Sequence, residues 1–359
     1  MTRVVILDHS VSARRTLRAQ LEAERDLDVV REFSDPTEAT RFLLRATAEL
    51  LIIDAELLSE GGLDAIEALM MQRPLPILIL SASEHRPEQD ALLHEALLRG
   101  ALSIEARVSP SDPQASALFR SAVRRLLRVS VVRQKSARSQ HSQRPLSASS
   151  RPEHGPGPLP SVHHQVDVIG IGASAGGPGV VADILSALPK DLAACILVVQ
   201  HLPAGFAEPF ADYLRARIRL PVTICSSSQS LSLGQVILAP DDAHLLIRSR
   251  GLARTEQSEP LHGHRPSVDL LMDSLARHYG ERAAGVILSG IGRDGAAGLR
   301  AIRQAGGLTI SQDGESAAVY GMPRVASESG AAEFVLRPSD IVDALRRAAG
   351  PREPSGRSY

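Results

Sequence analysis

Apolar and polar positions follow two alternating patterns along most of the chain. Short apolar runs rich in Val, Ile and Leu are separated by longer segments in which apolar residues recur every three or four positions. The first pattern is typical of buried parallel strands and the second of amphipathic helices. Because the two patterns succeed one another regularly, the sequence predicts an α/β fold with parallel sheets covered by helices on both faces.

The alternation occurs in two blocks, residues 1–127 and 166–349. In the first block we predict strands at 4–8, 28–33, 49–54, 76–80 and 101–105, and helices at 10–24, 35–46, 61–72, 87–100 and 111–128. In the second block we predict strands at 166–172, 194–200, 235–240, 285–290, 307–312 and 333–337, and helices at 178–187, 205–217, 266–279, 295–305, 322–329 and 338–348. Each block therefore predicts its own doubly wound parallel sheet, flavodoxin-like in the first domain and Rossmann-like in the second.

The two blocks are separated by a segment of different composition. Residues 128–165 are rich in Ser, Arg, Pro, His and Gln and have no sustained apolar period, which predicts a flexible basic linker. The alternative to a simple linker is that this basic segment contacts an acidic partner. Residues 350–359 predict a disordered tail.

Composition limits the classes of function. A net charge of −1 argues against general nucleic-acid binding by electrostatics. We found no signal peptide and no apolar run long enough to span a membrane, so the sequence predicts a cytoplasmic protein without direct membrane insertion. The two cysteines, Cys195 and Cys225, lie in apolar runs and are expected to be buried, reduced thiols.

The stretch VDVIGIGASAGGPG, residues 166–179, ends a predicted strand in a glycine-rich turn and permits two interpretations. A dinucleotide-binding turn needs G-x-G-x-x-G followed by an acid about 20 residues later. Here the glycine spacing is one residue too long, and Gln200 and His201 stand where the acid belongs, so this interpretation is weak. The alternative is G-x-S-x-G, in which a tight strand-to-helix turn exposes Ser174 as a nucleophile.

A serine nucleophile needs a base, and the base needs an orienting acid. His201 ends the next predicted strand, and Asp294 follows a later strand in the loop LSGIGRDGAAG. Because parallel strands end at one edge of a sheet, the three side chains are expected to meet there. Their order, Ser, His, Asp, differs from that of an α/β-hydrolase.

In the first block, Asp8 and Asp54 end two predicted strands and Ser81 ends a third. Two carboxylates and a hydroxyl at one edge could hold a divalent cation and accept a phosphoryl group. With LDHS, LLIIDAELLSEGGLDAI and ILSAS, residues 3–127 resemble a response-regulator receiver domain. The resemblance implies that Asp54 is the phosphoacceptor, Asp8 an Mg²⁺ ligand together with Asp54, and Ser81 the switch hydroxyl.

Residues 166–349 resemble the chemotaxis protein-glutamate methylesterases. The motifs that carry the resemblance are GIGASAGG, QHLPAGF, HRPSVD, LSGIGRDGAAGL and SQDGESAAVYGMPRVA. It implies hydrolysis of glutamyl methyl esters on chemoreceptor helices to glutamate and methanol, with glutamine deamidation in many members and no cofactor for catalysis. The resemblance also implies that a chemotaxis histidine kinase is the partner of the receiver domain. We expect the receiver domain to cover the catalytic cleft.

By the same resemblance, Ser174 is the nucleophile, His201 the base and Asp294 the orienting acid. Ile291 stands at the family's oxyanion position, and Ala175 replaces a common threonine. From the residues themselves, Arg265 and Arg293 could bind acidic neighbours of the ester, with ordinary solvated loop arginines as the alternative. Tyr320 and Met322 are expected to shape the cleft.

Three positions depart from the receiver pattern. His9 stands where a second acid is usual, Leu58 where a proline is usual, and Arg107 where a lysine is usual; the chain's only lysines are Lys135 and Lys190. One acid fewer weakens a Mg²⁺ site, and a planar guanidinium does not replace a lysine ammonium. We therefore predict weak or absent phosphoryl control, and a non-catalytic signalling scaffold that binds receptor and kinase is the rival function.

Overall fold

The computed structural model describes residues 2–23, 26–81, 87–127 and 165–350. The chain divides into two compact units, Met1–His141 and Ser142–Tyr359. Nearly all of the predicted linker 128–165 and tail 350–359 lies outside the described residues. Among the residues that are described, no helix is long and apolar enough to cross a membrane.

The first unit contains one parallel sheet with the strand order β2-β1-β3-β4-β5. Its strands are β1 (Thr2–Leu7), β2 (Leu27–Phe33), β3 (Leu50–Asp54), β4 (Ile77–Ser81) and β5 (Ser103–Ala106). Its α-helices are α1 (Val11–Glu22), α2 (Pro36–Leu43), α3 (Gly62–Gln72), α4 (Pro87–Leu98) and α5 (Pro113–Leu127). The central strands β3 and β4 are buried along their whole length, as their continuous apolar runs predict.

Local signals explain where these helices begin. The Asp35 side chain accepts a hydrogen bond from the backbone N–H of Glu38, and Pro36 occupies the first turn of α2. Ser10 caps α1 in the same way through the N–H of Ala13. Both caps satisfy a backbone donor that has no partner within its helix.

The second unit contains a parallel sheet with the order β15-β14-β13-β6-β7-β10-β8. Its strands are β6 (Val168–Ala173), β7 (Cys195–Gln200), β8 (Val222–Ile224), β10 (Val236–Leu238), β13 (Ala283–Ile287), β14 (Leu308–Gln312) and β15 (Phe334–Leu336). Its α-helices are α6 (Gly177–Ala187), α7 (Ala207–Arg217), α8 (Val268–Tyr279), α9 (Ala296–Gln304), α10 (Met322–Glu328) and α11 (Pro338–Ala348). The two faces of this sheet carry separate apolar cores, packed mainly against α6, α7 and α11 on one side and α8 and α9 on the other.

These elements confirm the predicted α/β class and the two doubly wound sheets. The cysteines are free and buried, and burial raises the pKa of the Cys195 thiol to about 12. The sequence interpretation missed a small antiparallel sheet formed by β9 (Ser228–Ser230), β11 (His244–Ser249) and β12 (Leu252–Glu256), in the order β11-β12-β9. It also missed β8 at the edge of the large sheet.

Candidate active site

The candidate active site lies where the strand order of the large sheet reverses. The chain begins this sheet at β6, adds β7, β8 and β10 on one side, and returns to β13 on the other side of β6. Ser174 follows β6 directly and His201 follows β7, and the last residues of these strands, Ala173 and Gln200, are paired across the sheet. In an open α/β sheet, a reversal of this kind leaves a crevice beyond the strand ends, and ligands bind there.

The turn that carries Ser174 is held by hydrogen bonds on both sides. The Ser174 N–H donates to the carbonyl of Ser289 at 2.9 Å, and its own carbonyl accepts from Gly177 N and from Gln200 Nε2, each at 2.8 Å. Gly176 adopts a φ of 69°, in the left-handed region that favours glycine. The sequence therefore forms a tight strand-to-helix turn with a half-buried serine at its tip.

The Asp294 carboxylate is fully buried and bonded to the amino end of α8. Its Oδ1 accepts from Ser267 Oγ and from the N–H of Asp269, both at 2.9 Å. Its Oδ2 accepts from the N–H of Val268 at 2.7 Å and lies 2.9 Å from Nε2 of His201. Burial alone would raise the pKa of Asp294, but these donors outweigh it and hold the pKa well below its usual range. The carboxylate is therefore ionised at neutral pH.

The ionised Asp294 fixes the protonation pattern of His201. An ionised carboxylate can only accept hydrogen bonds, so Nε2 of His201 carries a proton, and in the neutral ring Nδ1 is then the nitrogen with the lone pair. Nδ1 is buried and has no hydrogen-bond partner among the described residues. The structure thus brings His201 and Asp294 into direct contact and places Ser174 on the adjoining strand end, without a hydrogen bond between Ser174 and His201. Such bonds are often long in the absence of substrate.

Two backbone segments adjoin the serine where an oxyanion would form. A Cβ on Gly290 would meet the Ser174 Cβ at 2.8 Å, so the Gly290–Ile291 segment lies directly against the nucleophile. Ala175 follows Ser174, and its carbonyl accepts the Ser289 hydroxyl at 2.8 Å. The amide groups of Ala175 and Ile291 are the candidate oxyanion donors, because both belong to these two segments.

The remaining predicted cleft residues have definite positions. Arg265 donates from Nε and Nη2 to Oδ1 of Asp242, at 2.8 and 2.6 Å, and from Nη1 to the Ser258 carbonyl. Arg293 is exposed in the loop before Asp294. Met322 is fully buried, and its sulfur lies 2.4 Å from where a Gly290 Cβ would stand. The Tyr320 hydroxyl is 3.4 Å from Ser327 Oγ.

Comparison with known proteins shows the family of each domain. The family model described as CheB methylesterase matches residues 169–345, and the one described as response regulator receiver domain matches residues 4–102. Protein-glutamate methylesterase/protein-glutamine glutaminase 4 of Myxococcus xanthus is 33% identical over 350 residues, which cover 96% of each chain. Protein-glutamate methylesterase/protein-glutamine glutaminase 3 of Anaeromyxobacter dehalogenans is 36% identical, over 96% of this chain and 98% of its own.

The chain belongs to the CheB methylesterase family. A solved structure, the Thermotoga maritima CheB methylesterase catalytic domain, is 34% identical to this chain, covers 51% of it and 98% of its own length, and superposes with a TM-score of 0.49.

One contact at the active site of this CheB family member was not predicted. The His264 ring stacks on the His201 ring, with centroids 4.1 Å apart and an angle of 4° between the planes. Ser267 and Val268, which bind Asp294, were also not singled out. All three lie within the motif HGHRPSVD, in which the sequence analysis assigned a role only to Arg265.

The receiver pocket lies in the first unit. It is found where the strand order of the first sheet reverses, between β1 and β3. Asp8, Asp54 and Ser81 are all buried there. One nitrogen of the Arg107 guanidinium, Nη2, contacts Oδ2 of both Asp8 and Asp54. The structure therefore brings the predicted pocket residues together, with Arg107 joining the two carboxylates.

These residues do not fit the divalent cation that a receiver domain implies. The other oxygens, Oδ1 of Asp8 and Oδ1 of Asp54, accept the backbone N–H groups of Ser10 and Glu56 at 2.8 and 2.6 Å. All four carboxylate oxygens are thus engaged by nitrogen donors. His9, which stands at the second acidic position, is instead 3.5 Å from Glu60 at the surface. A Mg²⁺ ion needs several oxygen ligands around it, and the Arg107 cation stands between the two carboxylates that would supply them.

Proposed function

We propose that the second unit hydrolyses γ-methyl esters of glutamate residues on the cytoplasmic helices of chemoreceptors and releases methanol. One observation carries the proposal: the ionised Asp294 binds Nε2 of His201 and leaves Nδ1 free to act as a base beside Ser174. The names of the relatives, protein-glutamate methylesterase/protein-glutamine glutaminase, support glutamate esters as the substrate.

In the first half of the reaction, Ser174 Oγ attacks the ester carbonyl and its proton moves to Nδ1 of His201. Asp294 stabilises the imidazolium that forms. The carbonyl oxygen becomes an oxyanion, and the amide groups of Ala175 and Ile291 donate to it. The ester C–O bond then breaks, methanol leaves with the proton from Nδ1, and the glutamyl group remains on Ser174.

In the second half, a water molecule attacks the acyl-enzyme. His201 takes a proton from that water through Nδ1, and the same backbone donors stabilise the second oxyanion. The Ser174–acyl bond breaks, Oγ recovers its proton, and the receptor leaves with a free glutamate side chain. Every step uses a side chain or amide at this site, and none draws on a metal ion or cofactor.

Glutamine deamidation is a second candidate activity of the same site. A primary amide presents the same carbonyl, and the leaving ammonia accepts its proton from His201 as methanol does. The names of the relatives carry both activities. The amide is the poorer leaving group, so we expect deamidation to be slower than ester hydrolysis.

We further propose that phosphorylation of Asp54 by a histidine kinase controls this enzyme weakly or not at all. The support is Arg107, which pairs with both carboxylates of the pocket. Treatment with a small phosphodonor and Mg²⁺ should leave methanol release nearly unchanged. A large rise that is abolished by Asp54→Asn would refute this part of the proposal.

The proposed activity can be tested on the receptor itself. Methylated chemoreceptor incubated with the full chain should lose methyl groups at glutamate side chains, as read by mass spectrometry of its peptides, and Ser174→Ala should leave them intact. Equal inertness of wild type and Ser174→Ala, together with retained receptor binding, would instead favour the non-catalytic scaffold. Glutamine positions in the same spectra report deamidation.

A further inference from the structure

We infer that His264 is a positioning residue for the hydrolysis, whose ring holds the His201 imidazole in the plane required for proton transfer. The inference rests on the proposed function of Ser174 and His201. Its basis is the parallel stack of the two rings, 4.1 Å apart at an angle of 4°. Asp294 binds one edge of the His201 ring, and His264 covers one face of it.

A ring held only at Nε2 can tilt about that single hydrogen bond. Nδ1 has no partner among the described residues, so no second hydrogen bond restrains His201 before substrate binds. The stacked His264 ring supplies the missing restraint, because tilting His201 would drive it into the neighbouring ring. General base catalysis depends on such alignment, since Nδ1 must lie within hydrogen-bonding reach of the serine proton.

The backbone around His264 is built to hold the ring still. Leu261 and His264 exchange two backbone hydrogen bonds, of 3.1 and 3.0 Å, across the turn residues His262 and Gly263. These turn residues have φ values of 53° and 84°, and positive φ at both central positions is the pattern of a tight type I′ hairpin. The hairpin therefore fixes the backbone from which the His264 side chain projects.

The segment after His264 is anchored as well. Arg265 is bonded through three nitrogens to Asp242 and to the Ser258 carbonyl. Beyond Pro266, the Ser267 N–H donates to Nδ1 of the fully buried His244 at 3.1 Å, and Ser267 Oγ donates to Asp294. The same short segment thus supports Asp294 at one end and the face of His201 at the other.

The role can be tested with a serine-reactive fluorophosphonate on the full chain, so that the result does not depend on the natural substrate. In this reaction Ser174 Oγ bonds to phosphorus, the P–F bond breaks, fluoride leaves, and the serine proton passes to Nδ1 of His201. The limiting labelling rate at saturating probe reports the reactivity of Ser174, and the half-saturating concentration reports probe binding. Methanol release from methylated receptor, measured in parallel, tests the proposed function separately.

We expect His264→Leu, which conserves volume without an aromatic ring, to lower the limiting rate about tenfold, a barrier increase of about 1.4 kcal/mol. The half-saturating concentration should hardly change. His264→Phe, which keeps a flat ring, should restore most of the rate. His262→Asn is the matched control on the same hairpin, because Asn tolerates positive φ, and it should label like wild type.

A limiting rate for His264→Leu within twofold of wild type would overturn the role. The role would also be overturned if His264→Leu and His264→Phe lowered the limiting rate equally while thermal unfolding stayed unchanged. The proposal holds that the flat ring, not its nitrogen atoms, restrains His201, so phenylalanine should serve in its place. If the leucine chain does not fold, the phenylalanine chain decides alone: near-normal labelling supports the stack, and loss of labelling in a folded chain contradicts it.

Discussion

Oδ2 of Asp294 lies 2.9 Å from Nε2 of His201, while the same carboxylate receives three hydrogen bonds at the amino end of helix α8, from Ser267, Val268 and Asp269. The acid is therefore oriented and ionised by the fold before any substrate binds. The carboxylate orients His201 for catalysis. It also stabilises the second unit, because it accepts hydrogen bonds at the amino end of α8.

The substitution Asp294→Asn should remove both contributions. The NH₂ group of asparagine would replace one carboxylate oxygen, and it cannot accept the hydrogen bonds that this oxygen receives. The neutral side chain also no longer selects the His201 tautomer with a free Nδ1. We expect ester hydrolysis to fall at least about a thousandfold and the unfolding free energy to fall by about 1–3 kcal/mol. Initial rates of methanol release and urea unfolding measure the two effects.

Asp273→Asn is the matched control, because Asp273 lies on α8 and pairs with Arg277 at the surface. Surface pairs of this kind contribute little to stability. Near-normal activity of Asp294→Asn would show that the carboxylate does not orient the base.

The stabilising effect of Asp294 should depend on pH. Its folded-state pKa is lowered from an ordinary value of 3.8, so the folded state favours the ionised form. The resulting stability is fully present above about pH 5 and is lost as the pH falls through 3.8 towards the folded pKa. Burial, the largest cause, raises the pKa of the neighbouring Asp269 in both chains, and the Asp294 carboxylate raises it further in wild type alone. Because Asp294 itself loses the stabilisation of its ionised form, the stability difference between the two chains should shrink on acidification.

Tyrosine fluorescence can follow this difference in the second unit alone. The chain has no tryptophan, and its four tyrosines all belong to the second unit: Tyr213, Tyr279, Tyr320 and Tyr359. Urea titrations at pH 7 and at about pH 3.5 give the two free-energy differences. A difference that stays constant, or grows, at the lower pH would contradict the assignment of an ionised Asp294.

The close approach of β6 to α8 makes a second prediction about the site. A Cβ on Gly172 would lie 2.2 Å from Cγ1 of Val268, the residue whose N–H binds Asp294. Gly172→Ala should therefore displace Val268, reduce stability by about 2 kcal/mol or more, and lower activity.

The double variant Gly172→Ala/Val268→Ala should recover part of both losses, because the shorter side chain makes room for the new methyl group. A double-mutant cycle in thermal unfolding measures this coupling. Strictly additive effects of the two substitutions would show that they do not act through this contact.

Removal of Arg107 should create a cation site in the receiver domain. In wild type the guanidinium joins Asp8 and Asp54, so about 10 mM Mg²⁺ should hardly shift thermal unfolding of the first unit. In Arg107→Ala the two buried carboxylates repel each other, and we expect a less stable unit that Mg²⁺ restores by about 1–2 kcal/mol.

Arg99→Ala is the control for loss of an arginine elsewhere in the same unit, since Arg99 pairs with Asp64, Glu67 and Glu95 on the helices. It should be insensitive to Mg²⁺. Equal stabilisation of wild type and Arg107→Ala by Mg²⁺ would mean that the cation displaces the guanidinium, and the interpretation of the pocket would be wrong.

The sequence predicted the large sheets well because each central strand is a continuous apolar run that ends in a polar or glycine-rich turn. It predicted the placement of Ser174, His201 and Asp294 because parallel strands bring their ends to one edge. The small antiparallel sheet escaped prediction because β9 is the short polar segment Ser228–Ser230, and only pairing with β12 makes it a strand.

Side-chain partners that depend on tertiary packing could not be read from the sequence. The HGH turn predicts a tight hairpin, but only the fold places His264 over His201. Arg107 could be recognised as a departure from the lysine of receiver domains, but its simultaneous contact with Asp8 and Asp54 follows from the geometry of β1, β3 and β5. The sequence also could not show that the amino end of α8 binds the Asp294 carboxylate.

The most direct test of the account is the initial rate of methanol release from methylated chemoreceptor by the full chain and by Ser174→Ala at equal concentrations. We predict steady release by the wild-type chain and a rate at least about a thousandfold lower for Ser174→Ala, which retains its fold. Undiminished release by Ser174→Ala would contradict the account.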